Sequence, residues 1–288
     1  MAELSCEIVI PSYNRLSTLR TTVAKIRQLY PTVKICLGLQ GELPGQDLPP
    51  EFSQDQNLRV QRMASPSSTI TMTTCIKSSS ADIILILDDD SGPCHGWLES
   101  HVAAFASDPD LAYTGGREVR LSKGISAFSQ LVRILVESFF GLFLAKDKKI
   151  NGRIVSWFNG LGLFFGNFDL PGTCRINSAR GCNMAVRRGP FIGFGGFSPN
   201  IIGNGYLFEV EYGLRLAKQG KLGRYLGDAI VIHQEVASGG SRVDKRSKWF
   251  LDYVHNHAEV MKIIGPQGWL GAIPRFIKRL FFCTFQNV

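Results

Sequence analysis

Three consecutive carboxylates, Asp88, Asp89 and Asp90, follow directly on the apolar run Asp82-Ile-Ile-Leu-Ile-Leu87. Like charges this close repel, so the triplet at the end of a buried strand is costly unless a cation sits among them. Oxygen ligands of this kind suit a divalent metal. In an extended chain Asp88 and Asp90 would point to one side and Asp89 to the other. A solvated acidic turn is the plainer alternative.

The elements that must position these acids are legible in the first third of the chain. Glu7-Ile-Val-Ile-Pro11 reads as a strand stopped by proline, and Ser17 as the cap of a helix with Leu19, Val23, Ile26 and Leu29 at helical spacing. Val33 to Leu39 is a second strand, and the Pro- and Gly-rich stretch Gly41 to Pro50 is a loop. A helix follows over 65–80. The strand over 82–87 is apolar on both faces, which places it in the middle of a sheet. A helix over 96–106 and a strand over 111–114 complete the pattern.

Such alternation predicts an α/β fold: one domain with a mostly parallel central sheet flanked by helices, whose carboxyl edge is where ligands bind. From Arg117 to Pro171 the alternation fails and an apolar, aromatic and basic insertion takes over. Residues Arg180 to Val236 resume α/β character, and the tail from Trp249 reads as helical. The expected organisation is one domain over 1–245, with a nucleotide-binding half (1–116) and an acceptor half (117–245) that carries the insertion 117–171. A helical, basic-aromatic extension over 246–288 follows.

Composition narrows the class. The 288 residues are 44% hydrophobic and 10% aromatic, enough for a sizeable core and against disorder, and the 30 glycines show no collagen-like period. The seven cysteines are scattered without a C-x-x-C pair, as in a reduced, cytoplasmic protein. Glu3 and Glu7 bracket the N-terminus where a signal peptide would be basic, so no export is expected. The net charge of +8 gathers in Lys146, Lys148, Lys149 and Arg153, in Arg242, Lys245, Arg246 and Lys248, and in Arg275, Lys278 and Arg279. Between these clusters the chain is Phe- and Leu-rich, which suits an anionic membrane surface better than nucleic acid; an ordinary solvated basic surface is the other reading. No segment is long and apolar enough to span a bilayer.

An apolar strand ending in Asp-x-Asp also opens the haloacid-dehalogenase phosphatases, where the first aspartate is a nucleophile. There the motif sits on the first strand, whereas Asp88 follows two βα units. A fuller resemblance settles the comparison. Ile8-Val-Ile-Pro11-Ser12-Tyr13-Asn14-Arg15 resembles the opening strand and loop of the family 2 glycosyltransferases, and Asp88-Asp-Asp90 before Trp97-Leu98 resembles their Asp-x-Asp motif. Arg180-Gly-Cys-Asn183-Met-Ala-Val-Arg187-Arg188, Gly195-Gly196-Phe197, the stretch Gly203 to Leu216 and Ala229-Ile-Val-Ile-His233 are similar to later segments of that family, in the same order.

The resemblance implies a GT-A fold, a nucleotide-sugar donor and a Mn²⁺ or Mg²⁺ ion on its diphosphate. By position it assigns Pro11, Tyr13, Asn14, Arg15, Asp88, Asp89, Asn183 and Arg215 to donor binding, and Asp88, Asp90 and His233 to the metal. Glu209 takes the place of the general base, for direct displacement with inversion, and Glu211 supports either the acceptor or the Arg215 guanidinium. The implied acceptor is a hydroxyl of a cell-surface polysaccharide or lipid-linked glycan, at the inner face of the cell membrane and with no nucleic-acid partner. Departures stand out: Phe208-Glu209 replaces the family's Glu-Asp, and Gln40-Gly41-Glu42 stands where an Asp reads the base, leaving the nucleotide open. A catalytically silent sugar-nucleotide-binding protein is the alternative in another class. Trp157, Phe158, Phe164 and Phe165 of the insertion are candidates for sugar stacking or lipid contact. The run Trp269, Leu270, Ile273, Phe276, Ile277, Leu280 and Phe281 reads as an interfacial helix.

Overall fold

The computed structural model describes residues 4–41, 48–64, 66–120, 127–234, 246–273 and 276. The first half alternates β1 (Cys6–Tyr13), α1 (Leu16–Leu29), β2 (Lys34–Gln40), the short α2 (Pro50–Ser53), β3 (Leu58–Met63), α3 (Ser68–Lys77) and β4 (Ile83–Leu87). After β5 (Ser91–Pro93) come α4 (Trp97–Ser107) and β6 (Tyr113–Arg120), so the change of character placed at residue 117 falls inside a strand.

The insertion holds α5 (Ala127–Gly141) and two small hairpins, β7 (Lys149–Ile150) with β8 (Arg153–Ile154) and β9 (Ser156–Phe158) with β10 (Phe164–Gly166). The main sheet then regains β11 (Thr173–Ile176), β12 (Asn183–Arg187) and β13 (Gly223–His233), with α6 (Arg188–Gly193) and α7 (Phe208–Ala217) between the last two. The helix α8 (Arg246–Ile264) follows, then a 3-10 turn over Pro266–Gly268 and helical residues 269–273.

The sheet order is β11-β13-β6-β12-β4-β1-β2-β3, with β5 added on β13. Only β12 and β11 on that path run against the rest, so the sheet is mostly parallel. Alternation on β4 explains why helices cover both faces. Ile83, Leu85 and Leu87 pack with α1 and α4, and Ile84 and Ile86 pack with α3, α6 and α7, every one of the five fully buried.

Several local expectations are corrected. Pro11 does not stop β1, which runs on to Tyr13. The ladder with β4 ends at Val9, and beyond it β1 pairs with β2 alone, an edge-like position that tolerates the missing N–H. Ser17 lies inside α1, whose N-cap is Arg15 and has no side-chain cap. The strand β3 was not foreseen, because Leu58-Arg-Val-Gln-Arg-Met63 alternates too weakly to stand out.

Asn183 is a hub rather than a wall of any cavity. It is fully buried, its Oδ1 accepts from Trp97 Nε1 at 2.8 Å and meets His101 Nε2 at 3.1 Å, and its amide donates to the carbonyls of Arg117 and Ala229. Burial pushes His101 down to about 4. The ring is therefore neutral, donates from Nε2 to Asn183 and accepts from Thr114 Oγ1 at Nδ1, 2.7 Å away. Donor binding was expected of Asn183. The structure spends all its polar atoms on fastening α4, β6 and β13 together.

Candidate active site

The carboxyl ends of β1, β4 and β13 and the N-terminus of α7 surround a cavity of about 820 Å³. Pro11, Tyr13, Arg15, Asp88, Asp89, Asp90, Glu209 and His233 all line it. Asn14, Asn183, Glu211 and Arg215 do not.

Each placement has a local cause. Asn14 adopts φ of +52°, a left-handed turn that asparagine tolerates, and this reverses the chain from β1 into α1. The reversal swings Arg15 back over the acids, where its Nη1 bridges Asp89 Oδ1 and Asp90 Oδ2 at 3.1 Å each. Asn14 thus serves through its backbone, exposed and off the cavity wall.

The aspartate triplet does not continue the strand. Asp88 accepts from the N–H of Ser91, closing a turn, so Asp89 and Asp90 converge on one guanidinium instead of pointing apart. Asp89 is held further by Ser12 Oγ at 2.6 Å.

On the other side of the triplet, His233 Nε2 lies 3.0 Å from Asp90 Oδ1 and Nδ1 lies 2.7 Å from Glu118 Oε1. Burial would depress the imidazole, but its hydrogen bonds to Asp90, Cys182 and Glu118 push it up to about 12, so it stands as an imidazolium between two carboxylates. Arg180 and Arg120 reach the same Glu118. Burial would raise Glu118, yet this cationic company holds it below the usual range. Glu118 and Arg180 are members of the site not singled out from the sequence; no local signal marks Glu118, whose partnership with His233 exists only once β6 and β13 pair.

Asp88 is different. It has no hydrogen bond to its carboxylate among the described residues, and burial, then the charge of Asp90, push it up to about 7 against the pull of His233. Ligand atoms of Asp88, Asp90 and His233 lie within 4.8 Å of one another, a spacing and an O, O, N donor set that fit a divalent cation. Glu118, Cys182 and His233 form a second such group that shares the histidine.

The helical wall carries Glu209 in the first turn of α7. Leu207, the N-cap, takes φ of +75°, a conformation costing a branched residue on the order of 1–2 kcal/mol. Leu207 is 5% exposed and packed in the cluster of Val210, Leu214, Val260 and Met261, which holds the turn and fixes where Glu209 begins the helix. Burial pushes Glu209 up to about 7, although its own N–H and that of Gly181 favour the charged form. Phe208 lies against Gly181, where a Cβ would come within 2.6 Å of its ring, and packs edge-on against Phe197 at 4.8 Å.

Glu211 and Arg215 form an ion pair of their own, Nε to Oε1 at 2.6 Å, and the Arg215 guanidinium also donates to the carbonyls of Phe194 and Gly196. Of the two roles open to Glu211, support of the Arg215 guanidinium is the one found; neither residue lines the cavity, and the pair ties α7 to the Gly195-Gly196 turn. Gln40 lines the cavity with its Oε1 engaged by the N–H of Ser67. Glu42, Gly239, Gly240, Arg242 and Lys245 lie outside the described residues.

A family model, "Glycosyl transferase family 2", matches residues 7–164, more than half of the chain. The chain belongs to that family of glycosyltransferases. Its fold is that of two solved structures. One, of GalNAc-T7 with UDP, GalNAc and Mn²⁺, superposes with a TM-score of 0.63 at 12% identity, covering 96% of this chain and 54% of the other, so this chain spans about half that neighbour's length. The second is mannosyltransferase PcManGT from Pyrobaculum calidifontis with GDP-Man and Mn²⁺, at TM-score 0.60 and 14% identity, covering 100% of this chain and 77% of that one. No curated protein matches the sequence.

Proposed function

We propose that the cavity transfers a sugar from a nucleotide-sugar donor to a hydroxyl of a polysaccharide or lipid-linked glycan, with inversion at the anomeric carbon. The observation that carries the reading is that one cavity is lined both by a cation-ready cluster and by a raised carboxylate.

Asp88, Asp90 and His233 would hold Mn²⁺ or Mg²⁺, His233 giving up the ring proton it shares with Asp90 and keeping the one toward Glu118. When bound, such an ion neutralises charge on the departing diphosphate. Arg15, already between Asp89 and Asp90, adds a fixed positive group at the same edge, and Pro11 and Tyr13 bound the donor's end of the cavity. Glu209 takes the proton from the attacking hydroxyl; a carboxylate poised near neutral pH suits that task. A single displacement, with the base on one face and the leaving group on the other, inverts the anomeric centre.

The acceptor class and place of action extend the same reading. Leu131, Leu135, Phe139, Leu142 and Phe143, on and just after α5, are between 55% and 79% exposed. The only acid between residues 131 and 145 is Glu137, which is 2% exposed and turned inward onto Arg153, Asn167 and the N–H of Ile154. An outward face of this kind favours the headgroup layer of an anionic bilayer, where a lipid-linked acceptor presents its sugar. Among the described residues no helix is long and apolar enough to cross a membrane.

In this reading α5 adds an interfacial surface to the one proposed for the tail. Trp269 and Phe276 pack on the core beside Val260 and Met261, while Leu270 and Ile273 stay exposed; Arg275, Ile277, Lys278, Arg279, Leu280 and Phe281 lie outside the described residues. Phe158 and Phe165 are buried, and none of Trp157, Phe158, Phe164 and Phe165 lines the cavity.

Incubating the protein with a panel of UDP- and GDP-sugars and Mn²⁺ tests the reading through release of nucleoside diphosphate. Binding without release supports the silent binding protein that Phe208, in place of an acid, would suit. Cosedimentation with phosphatidylglycerol vesicles tests the location: Phe139→Glu with Leu142→Glu should abolish binding, and unchanged binding would remove α5 from the account.

A further inference from the structure

The helical wall carries a second carboxylate that the chemistry above leaves unused. Asp252 stands on α8, lines the cavity and is only 8% exposed. Its Oδ2 is sealed from solvent without a hydrogen-bond partner. A desolvated carboxylate without compensating bonds opposes folding, so the position calls for an explanation.

The backbone around it is shaped to keep that group in place. Gly203 sits against the carboxylate at φ of +63°, and a Cβ there would come within 2.3 Å of Asp252 Oδ2. Only glycine takes this conformation freely and leaves the space.

Two neighbours on the same wall complete a pattern. Asn204 Oδ1 accepts from the N–H of Tyr206 at 3.1 Å, and its NH₂ group has no partner among the described residues. The Tyr206 ring is stacked on Tyr253 at 5.0 Å and 28°, and Tyr253 on Trp249 at 5.1 Å. Asn204 and Tyr206 line the cavity with Asp252.

A carboxylate acceptor, an amide donor and a braced aromatic ring are what a sugar ring needs: hydroxyls that donate and accept, and an apolar face to rest on tyrosine. A metal is a poorer match, because among the described residues neither group of clustered ligands includes Asp252.

We propose that Asp252, with Asn204 and Tyr206, forms the subsite for the acceptor's sugar ring, Asp252 accepting hydrogen bonds from its hydroxyls. The assignment rests on the glycosyl-transfer reading, since that reaction brings a second sugar into the cavity. No bond to Asp252 is made or broken; the proton that leaves goes to Glu209.

Two measurements on the whole protein test it. In thermal unfolding without ligand, Asp252→Asn should melt above the wild type by roughly 2 °C or more, because an unpaired buried charge is removed. A lower melting temperature would mean a structural carboxylate and overturn the proposal. In the second, diphosphate release from the UDP- or GDP-sugar that the wild type uses is followed with a panel of methyl hexopyranosides as acceptors. Wild-type release should quicken with at least one glycoside, whose KM should rise about tenfold in Asp252→Asn while the affinity for nucleoside diphosphate and Mn²⁺ is kept. Equal glycoside KM in both proteins overturns the subsite, as does a wild type that turns over donor in water yet answers to no glycoside. A wild type that releases no diphosphate from any donor rejects glycosyl transfer itself, and the melting comparison then still reads Asp252 separately.

Discussion

The two walls of the cavity use the same residue types in opposite states. At the strand edge, Asp89, Asp90 and Glu118 are crossed by Arg15, His233, Arg120 and Arg180, so buried negative charge is matched by positive charge within about a hydrogen bond's length. On the helical wall, Glu209 and Asp252 have no cationic partner among the described residues. The first wall is built to hold charge that arrives, and the second to accept protons or hydroxyl hydrogens from what arrives. Asp88 belongs in place to the first wall and in state to the second, a carboxylate without a hydrogen-bond partner among the described residues, beside its paired neighbours. It is the position where a cation adds most.

The largest predicted effect breaks the helical wall. Glu209→Gln should lower kcat by about 10²–10⁴-fold with donor affinity kept, as measured by turnover beside calorimetric binding. Full activity in that variant would take the base elsewhere. Next comes the strand edge: Asp90→Ala removes a member of the cation cluster and leaves Arg15 and His233 without their shared partner, so Mn²⁺-dependent turnover should fall by about 10²–10³-fold.

A third change separates site from scaffold. Asn183→Ala should cost roughly 2–4 kcal/mol in urea unfolding, because two carbonyls, Trp97 and His101 lose their partner together. The folded fraction should still bind nucleoside diphosphate; loss of binding at unchanged stability would return Asn183 to the donor site. The smallest effect sharpens the contrast through pH. Glu209, raised to about 7, must be ionised to act as base, so kcat should climb about tenfold per unit below that value and level off above it. A profile flat from pH 5 to 8, to about half a unit, would contradict the raised carboxylate.

How much of this was legible follows from the range of the forces involved. The β4 run and its acids could be read because an apolar strand ending in three aspartates is a local signal. The fate of Asn183 could not, because it depends on Trp97, His101, Arg117 and Ala229, which only the folded sheet brings together. Glu211 and Arg215 looked like site residues through their neighbours in sequence. One turn of helix, however, is the spacing at which such a pair closes on itself. Asp252 went unnoticed for the same reason as Glu118: a single acid in a mixed stretch carries no pattern until the other wall is in view.

The division of labour between the two walls can be read by one experiment. Donor binding and diphosphate release are measured in parallel for the wild type, Asp90→Ala and Glu209→Gln, with Mn²⁺ and a UDP- or GDP-sugar. The prediction is release by the wild type only with metal, loss of metal-dependent donor binding in Asp90→Ala, and tight binding without release in Glu209→Gln. Binding by all three proteins with release by none would contradict it.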